Sequence, residues 1–119
     1  MTTDNQIEDE IQAKGKTAAR VTPTDIEANI NSEHYFTAGD GVAGFCVRHT
    51  KALHSPRALE LLTFCVLVLE NGFTVTGESA CASPENFDPE IGRKIARANA
   101  VQKIWPLMGY ELKCRLSQQ

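Results

Sequence analysis

Residues 61–105 read LLTFCVLVLENGFTVTGESACASPENFDPEIGRKIARANAVQKIW, and this stretch decides the fold. It opens with an apolar run, and Asn71-Gly72 separates that run from a second, alternating one. Asn-Gly is favoured in two-residue type I′ turns, because both central residues of that turn need a positive φ. We therefore predict a β-hairpin over about residues 61–79, in which Val68 lies opposite Val75.

This register assigns every side chain of the hairpin to a face. One face is predicted to carry Phe64, Val66, Val68, Phe73 and Val75, and the other Cys65, Leu67, Leu69, Thr74 and Thr76. The first strand is apolar on both faces, which is typical of a central strand covered from two sides. The second strand alternates, so we expect its threonines to face water or a ligand.

A long helix is predicted over about residues 89–105. Asp88 is placed to cap its first N–H groups, Pro89 suits the first helical position, and Pro106 predicts its end. Helical spacing puts one apolar stripe on it, formed by Ile91, Ile95, Ala98, Val101 and Trp105. A second stripe of small residues lets another backbone approach, that of the sheet or of a second subunit: Gly92, Ala96 and Ala100.

The remaining segments complete a small α+β domain. Residues 1–21 are polar and predict a flexible N-terminal arm with at most a short helix at 7–13, and residues 22–116 predict a single domain. Thr22-Pro23 predicts a helix to about Glu33. Residues 39–44 match G-x-G-x-x-G without the strands of a dinucleotide fold, and we interpret them as a flexible loop. Residues 45–53 predict a short helix, 107–110 a turn, and 110–116 a last short helix or edge strand. The expected architecture is a small antiparallel sheet centred on the hairpin, packed by the long helix and one or two shorter helices.

Charge and cysteine content narrow the function class. The net charge of −3 disfavours a general nucleic-acid binder, although residues 87–119 hold six basic and three acidic residues and are the place for an anion to dock. The chain has no membrane-length apolar run or signal peptide, so we expect a cytoplasmic protein with no membrane contact. Its four cysteines are widely spaced, which is typical of reduced, packed thiols.

Catalytic and metal sites are weakly indicated. Cys46, His49 and His54 resemble part of a zinc site but lack an evident fourth ligand. Cys81, in a loop of small residues, and Glu78, after the second strand, are candidates for a nucleophile and an acid or base. No local group activates either one, so we predict no enzyme, no metal and no cofactor.

The chemistry around the hairpin–helix junction favours a nucleotide-like ligand. Asn86-Phe87, held between two prolines, offers an amide and an aromatic ring to a planar base, although Phe87 also suits a hydrophobic staple. Arg93 and Arg97, one turn apart, offer two guanidinium groups to phosphate, although both also suit a solvated helix face. Glu78 suits either a ribose hydroxyl or an ion pair with one of these arginines. The predicted ligand-binding residues are Phe73, Thr76, Glu78, Asn86, Phe87, Arg93 and Arg97.

The same residues carry a family resemblance. The stretches NGFTVTGESA (71–80), PENFD (84–88), Gly92-Arg93 with Ala96-Arg97, WPL (105–107), GYEL (109–112) and the upstream YFTAGDG (35–41) resemble the small gene-49/gene-66 protein family of tailed phages and prophages. The resemblance covers roughly residues 22–116. The chain is also similar to the first-described type of Thoeris anti-defence proteins, which oligomerise and sequester cyclic nucleotide signals such as glycocyclic ADP-ribose without degrading them.

Together the residues and the resemblance imply a homo-oligomeric binding protein that sequesters a cyclic nucleotide signal in the bacterial host cytoplasm. Two alternatives stay open. One is a host-takeover protein that acts by binding a host protein. The other is a small nucleotide hydrolase that uses Cys81 or Glu78.

Overall fold

The structure, a computed structural model, describes residues 3–50, 52 and 55–119. It has the predicted α+β class: a three-stranded antiparallel sheet in the order β1-β2-β3, with a long helix across one face. The elements are α1 (Asp4–Ala13), α2 (Pro23–Ala28), β1 (Ile30–Thr37), α3 (Ala38–Arg48), β2 (Leu62–Leu69), β3 (Thr74–Ala80) and α4 (Pro89–Leu116). Short 3₁₀ helices at Arg57–Leu61 and Pro84–Asn86 precede β2 and α4.

The hairpin is present, but its register differs by one residue from the prediction. Val68 lies opposite Thr74, and Leu67 opposite Val75. The Leu69 N–H donates to the Phe73 carbonyl at 2.8 Å, and the Gly72 N–H to the Leu69 carbonyl at 2.9 Å, so the loop has three residues. Within this loop only Gly72 has a positive φ, +88°, as in a type I turn followed by a glycine bulge. The predicted type I′ turn is therefore wrong.

The register change moves side chains between faces, because neighbouring strand residues point to opposite sides. The helix-facing side holds Cys65, Leu67 and Leu69 together with Val75, all buried. Thr74 and Thr76 are exposed, as predicted, on the opposite side with Val66. β2 is the central strand, as predicted, but α4 covers only one of its two faces.

Helix α4 begins as predicted and ends later. The Asp88 carboxylate accepts from the N–H groups of Glu90 at 2.9 Å and Ile91 at 3.3 Å. The helix continues through Pro106 to Leu116, so the predicted end, the turn at 107–110 and the separate element at 110–116 are wrong. Pro106 is exposed, and α4 bears the loss of one backbone hydrogen bond without ending.

The stripe of α4 that faces the sheet is the one made of small residues. Gly92, Ala96, Ala100, Val101 and Ile104 are buried. Ile91 and Ile95, predicted to face a core, are 56% and 47% exposed, and Ala98 is also exposed. Trp105 packs against the core while partly buried. The small residues bring the helix backbone close to β3, and this approach excludes bulky side chains from the contact.

The sheet gains a strand that the sequence patterns missed. The helix from Thr22-Pro23 has the predicted cap but ends at Ala28, and Ile30–Thr37 forms edge strand β1, so the predicted helix to Glu33 is wrong. The glycine-rich segment 39–44 is not a loop but the first part of α3, which Thr37 and Asp40 cap reciprocally. Of the short helix predicted over 45–53, residues 45–48 form the end of α3, residues 49–50 are a turn, and residues 51 and 53 lie outside the described residues.

The N-terminal segment contains α1, longer than the short helix predicted there. It has no buried residue. The Asp4 carboxylate accepts from the Trp105 indole N–H at 3.1 Å, and Arg20 donates to Glu8 at 2.6 Å. The flexibility of residues 1–21 in solution stays a prediction. Among the described helices, none combines the length and apolar character of a membrane span.

Candidate functional site

The predicted pair of arginines is divided between two environments. Arg97 donates through Nε to Glu33 on β1 at 2.9 Å, and through Nη1 and Nη2 to Glu27 on α2 at 3.1 and 2.7 Å. Arg93, one turn earlier, forms no hydrogen bond or ion pair with the described residues. Arg97 therefore ties α4 to two neighbouring elements, and Arg93 keeps its guanidinium available.

Arg97, Glu27, Glu33 and Tyr35 form a cluster, the Arg97 cluster, in which several pKa values are shifted. The hydrogen bond from Arg97 lowers the pKa of Glu33, and the hydrogen bond to Glu27 raises the pKa of Arg97 itself. Tyr35 donates its hydroxyl to Glu33 at 3.1 Å. Burial, above all, raises the pKa of Tyr35 to about 12. The cluster is thus ionised at Arg97 and Glu33 and neutral at Tyr35 around pH 7.

A pocket of about 320 Å³ lies beside this cluster, where β1 leads into α3 and α4 begins. Its size is at the lower end of the range for small-molecule sites. Three aromatic side chains, one guanidinium and several oxygen groups line it: Tyr35, Phe36, Thr37, Asp40, Glu60, Thr63, Phe87, Pro89 and Arg93. The pocket therefore combines flat apolar surface with separate positive and negative groups.

Phe87 and Arg93 are the two predicted binding residues that meet in this pocket. Phe87 directly precedes the Asp88 cap and is partly buried. Its ring lies 3.9 Å from where a Cβ on Gly92 would stand, so it lies over the N4 position of the helix as a staple residue would, although glycine offers no side chain to pack against. The ring is thus held in place by the helix start and still contributes to the pocket wall.

Thr63 is the buried polar residue of the pocket wall. It is 4% exposed, and its hydroxyl has no hydrogen-bond partner among the described residues. A Cβ on Gly92 would stand 3.0 Å from this hydroxyl, so the glycine leaves room for it. An unsatisfied buried hydroxyl costs about 1–3 kcal/mol, so a hydrogen bond from a bound molecule to Thr63 would be favourable.

The acidic groups of the pocket lie at the start of α3. Asp40 accepts from the Thr37 N–H at 2.9 Å through one carboxylate oxygen. Glu60 lies against the backbone of Gly39, since a Cβ there would be 2.0 Å from its Oε1. Negative charge is favourable at this helix terminus. Both carboxylates are therefore held next to the pocket and can accept from hydroxyl groups.

The other predicted binding residues lie outside this pocket. Phe73 is at the hairpin tip, about 20 Å along β2 from the level of Thr63. Thr76 accepts from Lys103 Nζ at 3.5 Å, and the backbone carbonyl of Glu78 accepts from Asn99 at 2.8 Å. Asn86 is exposed in the 3₁₀ helix before Phe87. Glu78 forms no recorded pair with Arg93 or Arg97.

Most of the pocket wall was absent from the predicted site. Tyr35, Phe36, Thr37 and Asp40 come from the YFTAGDG stretch, which contributed to the family resemblance but to no site prediction. The missing signal was β1 itself, because a strand ending at Thr37 brings this stretch to the start of α4. Glu60 and Thr63 carry no motif that would have identified them.

The weaker chemical candidates have ordinary surroundings. Cys81 donates its thiol to the Ser83 carbonyl at 3.1 Å. Cys46 is buried in α3, and the ring of His49 packs against Phe45 with centroids 4.2 Å apart. His54 lies outside the described residues. Within the described part of the chain, no group of three or more His, Cys, Asp or Glu side chains is arranged to hold a metal ion.

Comparison with known proteins gives one match. The model of a family described as "Phage protein (N4 Gp49/phage Sf6 gene 66) family" matches residues 21–116. No curated protein and no solved structure matches the chain. The matched range includes every residue of the pocket and leaves α1 outside.

Proposed function

Because the chain belongs to the phage protein (N4 Gp49/phage Sf6 gene 66) family, we propose that it is a phage or prophage protein that binds and sequesters a cyclic nucleotide-type signal, such as glycocyclic ADP-ribose, without catalysis. The proposed site is the pocket between β1, α3 and the start of α4. One observation carries the proposal: the guanidinium of Arg93, without a partner among the described residues, shares this pocket with the Phe87 ring.

The lining suits the three parts of a nucleotide. A planar base can stack on Phe87 or Tyr35, and Arg93 can donate two parallel hydrogen bonds to a phosphate. Asp40 and Glu60 can accept from ribose hydroxyls. Since the pocket has two carboxylates for one guanidinium, free inorganic phosphate is a poor ligand, and a nucleotide that places its hydroxyls on the carboxylates is a better one.

Sequestration rather than turnover is supported by the composition of the pocket. Its described lining includes hydroxyl and carboxylate groups but neither cysteine nor histidine. Tyr35 is held neutral, and the Asp40 carboxylate is engaged at a helix cap. Tyr35 is therefore no nucleophile at neutral pH, and the two carboxylates, Asp40 and Glu60, lie against the backbone at the start of α3.

Calorimetric titration of the full chain tests the proposal. Glycocyclic ADP-ribose, cyclic ADP-ribose, AMP, adenosine and inorganic phosphate serve as probes, and we expect a cyclic nucleotide to bind at least tenfold more tightly than phosphate. Arg93→Ala should weaken nucleotide binding by at least about tenfold, which corresponds to about 1.4 kcal/mol. Lys94→Ala is the matched control, because it removes a positive charge one residue away from Arg93. Lys94 forms its ion pair with Glu90.

Equal affinities of Arg93→Ala and the parent chain, or no binding of any nucleotide probe, would overturn the proposal. Mass spectrometry of ligands released after co-expression with a signalling enzyme identifies the signal. Recovery of that ligand intact supports sequestration, and recovery of a cleaved product favours a hydrolase instead.

A second function, binding of a host protein, is favoured by one observation. Ile91 and Ile95 form an exposed apolar pair one turn apart on α4. Such a pair suits a protein partner better than water. Capture of a defined host protein that Ile95→Lys abolishes, with nucleotide binding absent, would favour this function over sequestration.

A further inference from the structure

The central strand β2 is apolar on both faces, and the elements that the structure describes fully cover only one of them. Cys65, Leu67 and Leu69 lie under α4. Phe64, Val66 and Val68 point to the opposite side, which we call the open sheet face. Phe36 packs on Phe64 there, with ring centroids 5.6 Å apart, and α3 approaches only this end of the face. Strands with this pattern normally have cover on both sides.

The dimensions of the chain also indicate that it lacks a layer. Its extents are 57 × 32 × 17 Å, and its radius of gyration is 18.2 Å. A compact domain of this length would have a radius of gyration of about 14 Å. The chain exposes 8425 Å², whereas a monomeric protein of 13.1 kDa exposes about 6,400 Å². The excess is about 2,000 Å².

This excess is large enough for a stable dimer. A standard interface takes about 800 Å² from each partner, and obligate dimers take more. Helix α1, which buries no residue, accounts for a part of the excess. The open sheet face supplies an apolar centre for such an interface, formed by the partly exposed Phe64, Val66 and Val68 beside the exposed Phe36.

We propose that two copies of the chain pack their open sheet faces against each other around a two-fold axis. The result is a four-layer arrangement in which two sheets lie between two α4 helices. The residues at the centre of the interface are Phe64, Val66 and Val68. This inference deepens the homo-oligomer expected of a sequestering protein, and it rests on that part of the proposed function.

The polarity of the face fits this arrangement. Ser32 and His34 on β1 and Thr74 and Thr76 on β3 flank the apolar central strand. An apolar centre with a polar rim is the usual anatomy of an interface. Pairing of sheets edge to edge through β3 is less favourable, because side chains of α4 reach over that edge: Asn99 binds the Glu78 carbonyl and Lys103 approaches Thr76.

Sedimentation velocity of the full chain tests the dimer. We expect a mass of twice the 13.1 kDa of the chain, or a higher even multiple. Val66→Glu should lower the association constant by at least about 100-fold, since it places a charge at the centre of the interface. Tyr110→Glu is the matched control, because it introduces the same charge at an exposed residue of α4, the helix that packs on the other face of the sheet.

A second variant distinguishes a loss of association from a loss of folding. Val66→Thr keeps the size and the β-branched shape, and we expect it to lower association by about tenfold with an unchanged circular dichroism spectrum. A monomeric parent chain overturns the proposal, and so does association that Tyr110→Glu disrupts and both Val66 variants leave intact. Titration with cyclic ADP-ribose separates the two proposals. A dimer that binds no nucleotide would support this interface and contradict the nucleotide-binding function. A monomer that binds nucleotide would support that function and contradict the interface.

Discussion

The contact between Gly77 and α4 makes a sharp prediction about stability. A Cβ at Gly77 would stand 2.2 Å from the Ala96 carbonyl oxygen, 2.3 Å from the Ala100 nitrogen and 2.9 Å from the Ala100 Cα. All three atoms belong to the helix backbone, so no side-chain rotation relieves the overlap. Gly77→Ala must therefore push α4 away from β3.

The magnitude follows from the displacement. An ordinary contact needs about 3.4 Å, so the helix must move by roughly 1 Å, a gap that forfeits a quarter to a half of the dispersion energy at the contact. Overpacking of this kind costs about 1–3 kcal/mol. The lower backbone entropy of alanine in the unfolded chain returns roughly 0.5–1 kcal/mol. We expect a net loss of about 0.5–2 kcal/mol in the free energy of unfolding, and a melting temperature lower by about 2–8 °C.

Urea denaturation followed by circular dichroism measures this loss. Gly109→Ala is the matched control, because Gly109 is in the same helix and a Cβ there meets nothing within 4 Å. That variant should be more stable by about 1 kcal/mol, the difference in helix propensity. If Gly77→Ala unfolds at the same urea concentration as the parent chain or a higher one, the close packing of α4 on β3 is wrong.

Three further predictions concern α4 and its partners. Arg97→Ala should lower the free energy of unfolding by about 1–2 kcal/mol, a value discounted for the partial exposure of Glu33, and should weaken the acid dependence of stability. Because the folded-state pKa of Glu33 is lowered, the stabilisation by Glu33 is present above pH 4.5 and is lost as the pH falls through the folded-state value. Urea titrations at several pH values detect this loss. Deletion of residues 1–20 should shift the fluorescence of Trp105, the chain's one tryptophan, to longer wavelength, since the indole loses its contact with Asp4, and an unchanged emission maximum would show that α1 is not docked. Pro106→Ala should raise the free energy of unfolding by about 1–3 kcal/mol by restoring a backbone hydrogen bond, and a fall in the urea midpoint would contradict the continuous helix.

The sequence identified elements better than the contacts between them. The Asp88 cap and the hairpin depend on local chemistry, and both are present. The register depends on whether Glu70 belongs to the strand or to the loop, and Asn71-Gly72 is compatible with either turn. One residue of difference moved Val75 to the helix-facing side. Local sequence preference does not determine the register, because the burial of Val75 under α4 determines it.

The helix stripes show the same limit. Hydrophobicity favoured Ile91 and Ile95 as the buried face, whereas the sheet accepts the stripe of Ala96 and Ala100. Gly77 explains the choice, since β3 offers a flat backbone surface on which only small residues pack closely. The isoleucines are exposed as a consequence. A pattern that ranks faces by apolar character alone overlooks a partner strand that has a glycine at the point of contact.

The different roles of the two arginines could not be predicted from the sequence either, because they depend on the positions of β1 and α2. Arg97 pairs with both Glu27 and Glu33 and offsets one of their two negative charges, and Tyr35 connects this cluster to the pocket, since its hydroxyl donates to Glu33 and the residue lines the pocket wall. Without Arg97, two unpaired carboxylates would make the potential beside Arg93 more negative, and an anionic ligand would bind less well. The proposed phosphate contact of Arg93 therefore requires that Arg97 be occupied elsewhere, and the one-turn spacing that first indicated two equivalent ligand-binding groups separates a structural residue, Arg97, from the proposed binding residue, Arg93.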